Sequence, residues 1–147
     1  MKSLSRLISK DRIAWIDSPT KDEAIRALLD VVARSAGLPQ VDEIYDAIQE
    51  RERLMSTGIG MNLAIPHAKL ASVKEFVVGL AIHSRGLAFE SLDDKPVHIL
   101  VMIIGPSHHQ EEYLRLLARV TTFLKDKRDR LFSLKTGEEV YGLTIEY

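Results

Sequence analysis

The sequence predicts an α+β domain, an α/β/α sandwich in which a mixed β-sheet of about four strands carries helices on both faces. Two apolar runs carry that expectation. Phe76–Ile82 and Val97–Ile104 are rich in β-formers and almost uninterrupted by polar residues, as in strands covered on both faces. Around them lie stretches of 3.6-residue apolar periodicity with start and stop signals, which supply the covering helices. With 147 residues, 46% of them hydrophobic and 28% charged, the chain fits a single domain, 1–147, with its own core.

In chain order, Leu4, Leu7 and Ile8 are spaced for a short helical turn, and Arg12–Ile16 reads as a brief strand. Thr20 and Glu23 fit a capping box at a helix start, after which Ala24, Leu28, Val31, Val32 and Ser35 share one side until Gly37 stops the helix. Pro39 opens a second helical stretch in which Ile44, Tyr45, Ile48 and Glu52 keep the period to about Leu54. Ser56, Thr57, Gly58 and Gly60 then form a small-residue loop, and Leu63–Ile65 is a short extended run ending at Pro66 and His67. The proline keeps Ile65 out of helical geometry. Gly86 and Asp93–Pro96 mark turns beside the two apolar strands. A long helix follows Gly105–Pro106, with Tyr113, Leu116, Leu117, Val120 and Leu124 on its stripe, and shorter helices are expected at Arg128–Lys135 and Glu138–Leu143.

Composition excludes several classes of function. Lys and Arg number 20 against 21 Asp and Glu, so no basic footprint for nucleic acid is present. Cysteine is absent, which removes disulfides and thiolate metal sites and is compatible with a reducing cytoplasm. Met1–Trp15 lacks the apolar core of a signal peptide, and no run approaches the roughly 18 apolar residues of a membrane helix. A soluble, cytoplasmic protein without direct membrane insertion is expected. His108 and His109 are adjacent and point apart, His83 and His98 read as sheet residues with hydrogen-bond partners, and no spacing supports a metal. Gly58-Ile59-Gly60 continues neither as a P-loop nor as a dinucleotide loop, and Ser56 lacks a nucleophile elbow. No cofactor is indicated. The basic run Lys125–Arg130 reads as a solvated helix end.

The chemistry concentrates in Arg51–Lys69. A neutral imidazole is a good nucleophile near neutral pH, because the reference histidine pKa is about 6.5. Pro66 restricts the backbone that aims His67. Gly58 and Gly60 allow close backbone approach and can offer N–H groups to an anion, while Arg51 presents a planar fork of donors suited to phosphoryl oxygens. Nucleophile, cation and glycine loop are the parts that phosphoryl transfer needs. By themselves they more often make an ordinary turn and a solvated arginine at a helix end.

The segment resembles the active-site signature of the fructose–mannitol class of phosphotransferase enzyme IIA domains, which includes the nitrogen-regulatory members. It reads Arg51-Glu52, Ser56-Thr57-Gly58-Ile59-Gly60 and Leu63-Ala64-Ile65-Pro66-His67-Ala68, and the similarity extends over nearly the whole chain. The resemblance implies that His67 takes a phosphoryl group from an HPr-type phosphocarrier protein, with Arg51 stabilising charge and Thr57 and Gly58 bordering the histidine. It also implies onward transfer to a IIB component, or a phosphorylation-dependent signal to regulated target proteins. At the place of the family's second active-site histidine this chain has Tyr113. A phenol can donate a hydrogen bond to a phosphoryl oxygen but cannot become a cation, a change that weighs more against sugar transport than against a slow regulatory role. His109, four residues earlier, is a candidate to reach the site from the same helix face. The competing expectation is a regulatory binding module on the same fold that acts without phosphotransfer. No fused IIB or membrane segment is present in the sequence, which leans towards a stand-alone regulator.

Overall fold

The computed structural model describes residues 3–147. Met1 and Lys2, the start of the stretch read above for leader character, lie outside the described residues. The elements are α1 (Leu4–Leu7), a 3₁₀ turn (Lys10–Arg12), β1 (Ile13–Ile16), α2 (Lys21–Ala36) and α3 (Val41–Leu54). They continue with β2 (Gly58–Gly60), β3 (Leu63–Ala64), β4 (His67–Leu70), β5 (Val77–Leu87), β6 (Val97–Pro106), α4 (Gln110–Ser133) and α5 (Gly137–Leu143).

The expected sandwich is present. The sheet runs β1-β5-β6-β3-β2, with β4 also on β6, and it mixes parallel pairs (β1–β5, β3–β6, β4–β6) with antiparallel ones (β5–β6, β2–β3). Successive residues of β6 face opposite sides. Ile99, Val101 and Ile103 join a core under α1, α4 and α5, while Leu100, Met102 and Ile104 join one under α2 and α3. Both faces are therefore covered, which explains why these strands read as continuous apolar runs. Gly79 in β5 lies under α2, where a Cβ would stand 2.2 Å from Val32 Cγ2. The helix packs that closely only because the side chain is missing.

The strand count is corrected from about four to six among the described residues. The additions, β2 and β4, are short, and β2 is two-thirds glycine, so neither carries a periodicity that local sequence could show. His67 is likewise the first residue of β4 rather than the end of the Leu63–Pro66 strand. Leu63 pairs with Ile99 and His67 with Ile103, the same offset on β6, so Pro66 interrupts the strand without ending it. Gly86, expected in a turn, sits within β5 at φ +88°, where the register against β6 shifts. The separate helix at 128–135 is the last part of α4. Its Arg128 is not simply solvated, because it donates to Met61 O and Asn62 Oδ1, both at 2.6 Å, and ties α4 to the β2–β3 turn. At Thr20 the Glu23 N–H caps as expected, whereas the reciprocal box forms at Thr136 and Glu139.

Candidate active site

Pro66 has no N–H to give the sheet, and its carbonyl accepts from Ile103 N at 3.0 Å. The next side chain, His67, emerges partly buried at the break between β3 and β4. Its Nδ1 lies 2.6 Å from Ile65 O. A carbonyl only accepts, so Nδ1 holds the proton and Nε2 keeps the lone pair. Burial lowers the pKa of the ring below the ordinary histidine value against the opposing effect of the Ile65 hydrogen bond; the nearby charges of Arg51 and Lys69 lower it further and Glu52 raises it. The imidazole is therefore neutral at neutral pH, with one nitrogen fixed and the other available.

Arg51 lies in the last turn of α3, and its Nη1 donates to Met55 O at 3.0 Å. That bond satisfies a carbonyl just past the helix end and leaves other guanidinium donors uncommitted to it. The charge acts on both His67 and Tyr113, so the cation and the nucleophile share one locality. Tyr113, in the first turn of α4, is 3% exposed. Its ring packs at a tilt against both His67 (centroids 5.8 Å apart) and Phe76 (6.2 Å), with the Lys69 ammonium 5.1 Å over its face. Its hydroxyl is buried without a hydrogen-bond partner, and burial pushes its ionisation well above the ordinary tyrosine range, with Arg51 opposing.

Two sequence expectations change in chemical detail. The Thr57 hydroxyl and N–H both donate to Glu52, the latter at 3.0 Å, so this threonine braces the loop. Gly58 N–H donates to Ser56 Oγ at 3.1 Å and is not open to an anion. A Cβ there would stand 2.4 Å from Ser91 Oγ and 3.1 Å from Ser91 Cα, so any larger residue would displace Ser91. His109 stands at the N-terminal boundary of α4 without a side-chain capping bond, faces Glu112 at 3.6 Å and lines a groove of about 530 Å³ with Arg6, Lys74 and Phe76.

Sequence reasoning passed over two contributors. Lys69 lies two residues after His67 and so on the same side of β4, a relation that follows only once 67–70 is known to be a strand. Glu52 was placed on the inward helix period, but a carboxylate at a core position was itself a signal; it is 8% exposed and pairs with Lys21 Nζ at 2.9 Å. His83 and His98 are sheet residues with carbonyl partners, Ser18 O and His83 O respectively, both at 2.8 Å. Among the described residues no group of three or more His, Asp or Glu converges as metal ligands do, and no helix is long and apolar enough to cross a membrane.

Solved structures identify the class of fold. The nitrogen regulatory protein IIA-Ntr from Neisseria meningitidis superposes with a TM-score of 0.89 at 23% identity, over 96% of this chain and 98% of that one. IIA mannitol in complex with phosphorylated IIB mannitol from Escherichia coli superposes at 0.79 with 21% identity, over 96% and 100%. Sequence then gives the family. The chain belongs to the family described as "Phosphoenolpyruvate-dependent sugar phosphotransferase system, EIIA 2", which matches residues 6–146. Relatives include a fructose-specific EIIA component from Haloferax volcanii, 33% identical over 86% of this chain and 84% of its own length. A nitrogen regulatory protein from Pseudomonas aeruginosa is 32% identical over 99% and 97%. The protein is thus an EIIA component of a phosphotransferase system, whose components transfer phosphoryl groups.

Proposed function

We propose that His67 Nε2 is the phosphoryl acceptor, charged by an HPr-type phosphocarrier protein and discharged either to a IIB component or into a regulatory signal for target proteins. Support rests on one observation: Nδ1 is committed to Ile65 O, so the lone pair is confined to Nε2 of a ring that feels the Arg51 charge and packs against the Tyr113 ring. The Nε2 lone pair attacks phosphorus, the P–N bond of the donor phosphohistidine breaks, and the donor imidazole leaves with that electron pair. His67 keeps its Nδ1 proton, and the positive charge its ring gains is shared with Ile65 O. Arg51 offers charge to the phosphoryl oxygens in flight. Tyr113 offers a neutral hydrogen bond in place of a second histidine. The residues 1–147 act as one cytoplasmic domain in this reading.

The test is direct. With phosphoenolpyruvate, enzyme I and HPr, the protein acquires acid-labile, base-stable phosphate, and His67→Ala does not. Wild type that stays unlabelled sinks the relay and leaves a phosphorylation-independent binding module, the alternative that the uncharged Tyr113 keeps open.

A further inference from the structure

Glu52 is a buried carboxylate that the phosphoryl relay above does not use. Its Oε1 accepts from Lys21 Nζ at 2.9 Å and from Thr57 N at 3.0 Å, and its Oε2 accepts from Thr57 Oγ1. Thr57 is thereby held by both its backbone and its side chain. The carbonyl of Thr57 accepts from Ile65 N at 3.0 Å, and the carbonyl of the same Ile65 accepts from His67 Nδ1. Four hydrogen-bonded links therefore lead from an ammonium on α2, through a carboxylate on α3, to the ring at the start of β4. The links from His67 through Ile65 and Thr57 all donate towards Glu52, so each polarises the next, and Lys21 donates to the same carboxylate from the other side.

From this geometry we infer that Glu52 is a positioning residue for the phosphoryl relay: by clamping Thr57 it fixes the Ile65 carbonyl that holds His67 in its Nδ1–H tautomer. Pro66 explains why a clamp is needed. Ile65 lies between two strand segments, outside β3 and β4, and its N–H bonds to Thr57 rather than to β6. Thr57 therefore supplies the alignment that the sheet ladder does not supply at Ile65. Lys21 neutralises the carboxylate and packs over the Phe89 ring, 4.5 Å from its centroid, which lets a charged group sit in this position without an unpaired burial cost.

The inference rests on His67 being the acceptor, but its primary readout does not. Glu52→Gln keeps the shape and one acceptor oxygen while losing the charge and the second acceptor for Thr57. Nitrogen-15 NMR of the full chain reports the His67 tautomer directly. The expected result is a shift from almost wholly Nδ1–H towards a mixture, with labelling from phospho-HPr slower by about tenfold in kcat and little changed in KM. Thr57→Val removes only the hydroxyl link and should give a smaller shift of the same sign, which keeps the test alive if Glu52→Gln does not fold. A folded Glu52→Gln with the wild-type tautomer overturns the inference, as does a loss confined to KM. Absence of labelling in wild type would sink the relay and leave the tautomer measurement standing.

Discussion

Tyr113→Phe should move stability and phosphorylation in opposite directions. The substitution keeps the ring that packs between His67 and Phe76 and deletes a single oxygen, one that is buried with no partner. An unsatisfied buried hydroxyl costs about 1–3 kcal/mol, and packing around the ring is unchanged. The unphosphorylated variant should therefore be more stable by about 1 kcal/mol, a rise in Tm of roughly 2–4 °C for a chain of this size. In the phosphorylated protein the hydroxyl gains an ionised acceptor, a hydrogen bond of about 1.5–3 kcal/mol. Losing it lowers the equilibrium labelled fraction, relative to phospho-HPr, by roughly ten- to a hundredfold. Thermal unfolding followed by circular dichroism reads the first quantity. Phosphate partitioning between the two proteins at fixed ratio reads the second. A lower Tm with unchanged partitioning would refute the reasoning, since it would mean that the hydroxyl serves the fold and not the phosphoryl group.

Three further outcomes are expected. Arg51→Gln should slow labelling of His67 by about a hundredfold, because it removes the guanidinium charge from the transferring group; rapid-quench labelling measures this, and a loss under threefold counts against the assigned role. The rate should fall on the acid side with a midpoint below the reference value of about 6.5, because burial holds the His67 pKa down. Between that midpoint and 6.5 the unfolded chain binds more protons than the folded one, so stability rises with pH through this window; NMR titration of His67 checks both. Gly79→Ala should destabilise by about 2 kcal/mol, or roughly 4–8 °C in Tm, as its methyl group meets Val32, while leaving the labelling rate at permissive temperature unchanged.

What the sequence disclosed was whatever depends on near neighbours. The inner strands announce themselves because both faces of β5 and β6 are buried, and the stop of α2 because Gly37 adopts φ +70°. The short strand β4 owes its existence to pairing with β6, far along the chain, and β2, two-thirds glycine, pairs over only a few residues with its neighbour β3, so neither carries an apolar pattern that could reveal it. The same division runs through the site. His67 and Arg51 were legible as a motif, yet the choice of nucleophilic nitrogen depends on a carbonyl orientation that only the folded backbone sets. Thr57 and Gly58 were legible as a loop, but their donors are spent on Glu52 and Ser56, which spacing does not show.

If His67 is the acceptor proposed above, its partial burial suits a carrier that must give up what it receives. Full exposure would leave the ring near its reference pKa, with an appreciable protonated fraction at neutral pH and no lone pair on that fraction. Full burial would bar the donor's phosphoryl group. At the observed position, burial and the Arg51 and Lys69 charges all disfavour a cationic ring, and a ring phosphorylated on Nε2 with a proton on Nδ1 is cationic. Those same two side chains attract the phosphoryl dianion attached to it. The influences that keep the nucleophile neutral therefore raise the energy of the phosphorylated ring, while those cations hold the group in place. In the proposed relay Ile65 O would offset part of the ring's charge, and the balance between that single acceptor and the two cations would set how readily the phosphoryl group moves on.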